Sequence, residues 1–335
     1  MRMRNSDVKN KRMSPKKAAA LLAALLLFVY FIAAEITLQV MLVPSFMEKL
    51  DSFSDFTDKG YSEMIYTDDI VGNREEALTE TQSWLQEKGV KLYGIRTEDD
   101  LLLIGAAFEQ EDSSAPWALM LHGYTGWKEE LYQHAYVFYQ QGYSVLVPDL
   151  RAQGQSEGKY IGLGWADRDD LLEWLAAIER LAPGSEVVLY GQSMGGSAAV
   201  MLAADERLPE NVKAAVSDSA FCDPRELFRR KLKDWTGLSD LGLINAAGLC
   251  FRLQGGYDLR DASALKHAPD CRVPVLFIHG SEDVMVPASD MDRLYEACGS
   301  EKQRLLIEGA GHVQAAEKDP KTYYETIFSF LDNYL

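Results

Sequence analysis

Val187-Val-Leu-Tyr-Gly-Gln-Ser-Met-Gly-Gly196 joins an apolar run to a Gly-x-Ser-x-Gly turn, and small residues, Ser197-Ala-Ala199, follow it. A short, continuously apolar run reads as a strand buried on both faces, and the small residues behind it suit a closely packed helix. On a sharp strand-to-helix turn, Ser193 is forced into a strained backbone conformation that lifts its hydroxyl off the sheet. The positions two away on each side must then be small, and they are Gly191 and Gly195. The helix N-terminus adds partial positive charge and one N–H, that of Met194, aimed where an oxyanion would develop.

Outward from this turn the chain keeps alternating. Strand candidates cover residues 91–96, 101–108, 117–121, 144–148, 186–190, 213–217, 273–278 and 303–307, and helical patterns lie near 73–88, 127–141, 166–181, 194–205, 288–298 and 320–334. Thr97-Glu-Asp-Asp100 separates the first two strands, which reads as a hairpin; the later strands are followed by helices, as in a parallel sheet. The expected fold class is therefore α/β: a mostly parallel, doubly wound sheet with an N-terminal antiparallel hairpin. One insertion, residues 221–272, interrupts the alternation with helical patches at 226–235 and 238–253 and a Gly255-Gly256 turn. At the carboxyl edge of a sheet such an insertion forms a helical lid.

A serine hydroxyl needs a base within hydrogen-bond reach and a carboxylate to orient that base. Of the five histidines, only His312 follows the last strand in a Gly-rich turn, Glu308-Gly-Ala-Gly-His312. Asp283 lies just beyond the strand at 273–278, so the order Ser193, Asp283, His312 is the one expected when these loops meet above the sheet. Asp218 and Glu282 are the alternative acids. His279 reads as a strand-end residue packing beside the site, and His134 and His267 as packing or surface residues. A second oxyanion donor is expected after an earlier strand, in Leu119-Met-Leu-His-Gly-Tyr-Thr-Gly126, where the backbone N–H of Tyr124 joins that of Met194.

The set His122-Gly-x-x-Gly126, Asp149-x-Arg151-x-x-Gly154-x-Ser156, Gly191-x-Ser193-x-Gly-Gly196, His279-Gly-x-x-Asp283 and Gly311-His312 resembles the α/β-hydrolase superfamily. Within it, the chain is similar to membrane-anchored bacterial hydrolases grouped with serine aminopeptidase (S33-type) domains, and Gly164-Trp165-x-Asp-Arg-x-Asp-Leu fits that subgroup. The resemblance covers residues 90–335. It implies a hydrolase fold and a Ser-His-Asp mechanism without a cofactor, on a small-molecule or peptide acyl substrate. It also implies that Asp149 and Arg151 tie down a loop. It leaves the choice among esters, thioesters, peptides and lipids open.

The chain has 335 residues, 34 Lys+Arg and 51 Asp+Glu, for a net charge of −17. Such an acidic chain lacks the basic footprint of a nucleic-acid binder. The exception is residues 1–17, a basic tip with seven Lys/Arg against Asp7 alone. Residues 18–43 follow as an apolar stretch broken by Glu35, long enough for a transmembrane signal anchor. A cleaved signal peptide is the competing reading. With the basic tip inside, the rest is expected outside the cell membrane. Residues 44–89 read as a stalk and peripheral helix. Four cysteines (Cys222, Cys250, Cys271, Cys298) permit disulfides in that compartment, and free buried thiols are the alternative. The lid carries nine Lys/Arg against seven Asp/Glu, a mild argument for an anionic substrate, with a solvated helical face as the plainer reading. No H-E-x-x-H, cysteine cluster or phosphate-loop lysine points to a metal or nucleotide. An anchored interaction protein that has lost activity is the alternative of a different class.

Overall fold

The computed structural model describes residues 14–46, 67–237 and 239–335. Most of the basic tip and the middle of the expected stalk, residues 1–13 and 47–66, lie outside them. The chain forms an eight-stranded sheet in the order β1-β2-β4-β3-β5-β6-β7-β8. Its strands are β1 (Lys91–Arg96), β2 (Leu102–Phe108), β3 (Trp117–Leu121), β4 (Ser144–Pro148), β5 (Val187–Gln192), β6 (Val212–Asp218), β7 (Val275–Gly280) and β8 (Lys302–Ile307). β1 and β2 pair antiparallel as a hairpin, β2 also pairs antiparallel with β4, and all other pairings are parallel. This is the α/β-hydrolase fold.

Side chains alternate between two cores, one on each face of the sheet, as the period of two in a strand requires. Trp117, Leu119, Leu121, Val187 and Leu189 enter one; Ala118, Met120, Val188 and Tyr190 enter the other. On the first face pack α4 (Asp167–Leu181), α5 (Met194–Ala203) and α9 (Ala288–Ala297); on the second pack α2 (Asp68–Lys88), α3 (Tyr132–Gln140) and α11 (Pro320–Leu331). β5 runs two residues further than its apolar run, because Gly191 pairs with Leu121 and Ser217, and Gln192 pairs with Asp218. The expected helix at 127–141 starts instead as a 3-10 turn, Lys128–Leu131.

The insertion holds α6 (Pro224–Thr236), α7 (Leu243–Gln254) and the one-turn α8 (Ala264–His267). Asp223 caps α6 by accepting from the Arg225 N–H at 2.8 Å. α7 begins five residues later than its apolar pattern, because Leu241 and Gly242 adopt left-handed backbone (φ 47° and 81°) and Asp240 accepts from the Ile244 N–H. A short helix over Ala315–Lys318, α10, was not legible as a separate element.

At the N-terminus, α1 runs Pro15–Leu42, with Pro15 in its first turn and the Ser14 side chain accepting from the Lys17 N–H. By length and composition it can cross a membrane. Its first half is exposed, whereas Ala34, Leu38, Met41 and Leu42 are buried against the α/β body.

Candidate active site

Ser193 sits between β5 and α5 at φ 54°, ψ −114°, a left-handed conformation that L side chains rarely adopt. The surrounding backbone holds it there. Its N–H donates to the Asp218 carbonyl at 2.8 Å, and its carbonyl accepts from the Ser197 N–H at 3.0 Å. Nearby glycines make the turn possible by contact. A Cβ on Gly191 would fall 2.1 Å from the Gly195 carbonyl oxygen, and one on Gly195 would fall 2.0 Å from that of Leu121.

Two loops bring the partners over this serine. The segment after β7 and the segment after β8 are tied together: Ser281 N–H donates to Ile307 O at 3.0 Å and Glu282 N–H to Ala310 O at 2.9 Å. Ser219, itself at φ 54°, accepts from the Val313 N–H at 3.2 Å and so holds the histidine loop to the end of β6. The result is a continuous chain of contacts. His312 Nε2 lies 2.9 Å from Ser193 Oγ, and His312 Nδ1 lies 2.7 Å from Asp283 Oδ2. With the proton on Nδ1, Nε2 is a bare acceptor for the serine hydroxyl.

The Asp283 carboxylate is buried and fully engaged. Oδ1 accepts from the N–H groups of Met285 and Val286 at 2.9 and 2.8 Å. Oδ2 meets His312 and also His279 Nε2 at 3.1 Å, which sits 2.9 Å from the Val286 carbonyl as well. Burial alone would raise this carboxyl, but hydrogen bonds from His279 and His312 outweigh it and hold Asp283 below the usual carboxylate range. His279 shows the reciprocal effect: burial disfavours its charge, yet Asp283 raises it above an ordinary histidine. Its contact with Asp283 carries more than the packing expected of it, and the His-Gly-x-x-Asp spacing was the available signal.

The other candidates are placed elsewhere. Asp218 ends β6 beneath the serine, but its carboxylate faces Tyr323, Ser219 and Gln192 rather than His312. Glu282 is exposed. His134 is buried between Gln192 and the Tyr324 hydroxyl, and burial lowers it to about 3. His267 stacks on Trp165. Asp149 accepts from the Lys128 ammonium and from the N–H groups of Lys128 and Gln155, and Arg151 makes a bidentate pair with Asp170. Both hold loops, as the resemblance implies.

Met194 is the first residue of α5, so its N–H has no preceding turn to bond within the helix. Gly123 brings the loop after β3 against the serine: a Cβ there would lie 3.6 Å from that of Ser193, and Tyr124 follows directly. The four cysteines are unbridged. No group of three or more potential metal ligands occurs among the described residues. A surface basin of about 870 Å³ lies in the lid rather than over Ser193, and its cations Arg225, Arg252, Arg260 and Lys266 are paired with Asp223, Asp258 and Asp261. That pairing removes most of the argument for an anionic substrate from lid charge.

Known proteins resemble this chain in sequence and fold. The family described as α/β hydrolase fold matches residues 116–242, and the family described as serine aminopeptidase, S33, matches residues 251–319. YqkD of Bacillus subtilis, itself uncharacterized, is 29% identical over 216 residues, covering 64% of this chain and 70% of the relative. An uncharacterized membrane protein of Saccharomyces cerevisiae, YNL320W, is 26% identical over 175 residues, or 51% of this chain and 55% of that one. Among solved structures, the Pyrococcus furiosus esterase Pf2001 superposes with a TM-score of 0.58 at 23% identity, covering 74% of this chain and 94% of the esterase.

Proposed function

Because the chain belongs to the α/β-hydrolase superfamily, we propose that it is a serine hydrolase cleaving carboxylic esters, held at a cell membrane by α1 with its catalytic body extracytoplasmic. The observation that carries this reading is the unbroken contact chain from Ser193 Oγ through His312 to Asp283, at 2.9 and 2.7 Å, on a serine in left-handed backbone. His312 Nε2 takes the hydroxyl proton as Ser193 Oγ attacks the acyl carbonyl. The N–H groups of Met194 and Tyr124 hold the oxyanion, the most valuable electrostatic contribution in such a site. His312 then returns the proton to the leaving alkoxide, and water repeats the sequence on the acyl-enzyme. Asp283 keeps the imidazole in the productive tautomer and stabilises the imidazolium.

The S33 match favours a second reading, an aminopeptidase. That activity needs an available carboxylate to hold the substrate ammonium. Five of the lid's seven carboxylates, Asp223, Glu226, Asp240, Asp258 and Asp261, are each engaged by an arginine or lysine, which leaves fewer for a substrate ammonium and favours the ester reading.

Labelling the full chain with a fluorophosphonate probe, followed by peptide mapping, tests the mechanism. The expected adduct lies on Ser193 and is lost in Ser193→Ala and His312→Ala. A folded chain with no adduct overturns the reading in favour of an anchored interaction protein. Turnover of aminoacyl anilides exceeding that of acyl esters would move the peptidase ahead. Protease shaving of intact cells that spares the acidic body would overturn the orientation.

A further inference from the structure

α1 ends inside the catalytic body rather than above it. Leu38, Met41 and Leu42 belong to the main core. Two carbonyls of the last turn are taken up there: Ile161 N–H donates to Leu42 O at 2.9 Å, and the Tyr124 hydroxyl donates to Met41 O. The stretch left for a bilayer, residues 18–36, is roughly 28 Å of helix, close to a hydrocarbon core of about 30 Å. None remains as a spacer, so the body sits against the interface.

α7 lies alongside this same stretch. The Tyr30 hydroxyl donates to Leu241 O at 3.3 Å, and Gln254 Nε2 donates to Glu35 Oε2 at 2.7 Å. Tyr30 precedes residue 36 by about 9 Å of helix, so the start of α7 reaches below the expected interface. Ile244, Ala247 and Phe251 turn inward, whereas Leu249 and Leu253, four apart on one face, are 50% and 80% exposed, and Leu241 is 84% exposed. By helical periodicity that face adjoins the one carrying Cys250 and Gln254, which meets Glu35 of α1. The exposed cation Arg252 adjoins Leu253 on the same helix. An apolar strip continuous with a membrane helix and bordered by an arginine fits an interfacial helix, which buries roughly 5–10 Å into the headgroup boundary.

We propose that α7 and the Leu241 turn are immersed in the bilayer beside α1, and that the site draws a bilayer-resident acyl ester rather than a dissolved one. The inference rests on the anchored serine-hydrolase reading above. Tyr124 connects the two ends of the argument. Its N–H is the proposed oxyanion donor, its hydroxyl is bound to the last turn of α1, and its ring lies 6.2 Å from that of Phe228 in α6. From the boundary at residue 36, about 8 Å of helix and one tyrosine side chain lead to the reacting carbonyl.

The test uses the full chain in vesicles of phosphatidylethanolamine and phosphatidylglycerol. A nitroxide on Leu253→Cys, in a Cys250→Ser background, should collide several-fold more with oxygen than with a water-soluble nickel complex. The same label on Glu173→Cys, an exposed site on α4, should show the reverse. In parallel, Leu249→Glu with Leu253→Glu should lower the ratio of vesicle-borne to dissolved ester turnover at least about tenfold. A Leu253 label as water-exposed as the Glu173 label, or an unchanged ratio, overturns the inference. Release of the chain by alkaline carbonate overturns it through failure of the anchor. Absence of a Ser193 adduct removes the substrate claim, and the depth measurement then judges the immersed lid by itself.

Discussion

The ends of β6 and β7 lie side by side under Ser193, and each delivers a buried aspartate. Asp283, past β7, takes two backbone N–H groups and two histidines. Asp218, at the end of β6, takes the hydroxyls of Tyr323 at 2.8 Å and Ser219 at 2.9 Å, and the Gln192 amide at 3.2 Å. Both are desolvated, and burial pushes both upward. For Asp283 the charged-form donors win and the carboxyl is held low; for Asp218 the neutral donors compensate only in part and it is raised. Residue type and position in the sheet are alike, so the partners decide which carboxyl serves as a permanent anion.

The largest effect that could break this comparison is on turnover. Asp283→Asn should lower kcat about 10⁴-fold by fixing the wrong histidine tautomer. Asp218→Asn should lower it less than about tenfold, and equal losses in ester assays would show that the two carboxyls are not distinct in role. Tyr323→Phe comes next. It removes a hydroxyl shared with Asp218 and Tyr190 and should destabilise the fold by about 1–3 kcal/mol in urea titrations, while Ser193 still takes the fluorophosphonate.

Stability against pH sharpens the contrast further. A depressed folded pKa makes the Asp283 contribution present above an unfolded value of about 3.9 and lost as pH falls through the folded value. The raised pKa of Asp218 works oppositely: its contribution is full below about 3.9 and is lost as pH rises through the folded value. Thermal melts should therefore lose acid sensitivity in Asp283→Asn and lose sensitivity on the rising-pH side in Asp218→Asn, by about 2–4 °C per kcal/mol. The smallest effect is the control. Glu282→Gln, exposed one residue before Asp283, should change the rate less than about twofold in the same assay.

Most of the sheet was legible because buried parallel strands are apolar runs with few competing readings. β1, β3 and β4 fall on the expected residues. Ser193 was legible because glycines that would otherwise collide with neighbouring carbonyls leave a mark in the sequence. The choice between Asp218 and Asp283 rests on chain order and the His279-Gly-x-x-Asp283 motif, since no local signal announces that Tyr323, 105 residues further along, covers the other carboxylate. The docking of α1 was hidden for another reason. Lipid and protein core select the same residues, so Leu38 and Leu42 in the core read like Leu22 and Leu26 outside it. The α7 boundary was missed because Leu241, a good helix former, sits in left-handed backbone.

The contacts joining Ser193, Asp283 and His312 span 119 and 29 residues of chain. Local helices cannot assemble them; they exist only after β5 through β8 have paired in register. During synthesis β8 and the histidine loop emerge after every other strand, so the serine waits without its base while most of the sheet is already made. A chain interrupted between the lid and His312 carries the serine turn and the lid but leaves Ser193 without its base. The proposed chemistry is thereby timed to the completion of the fold.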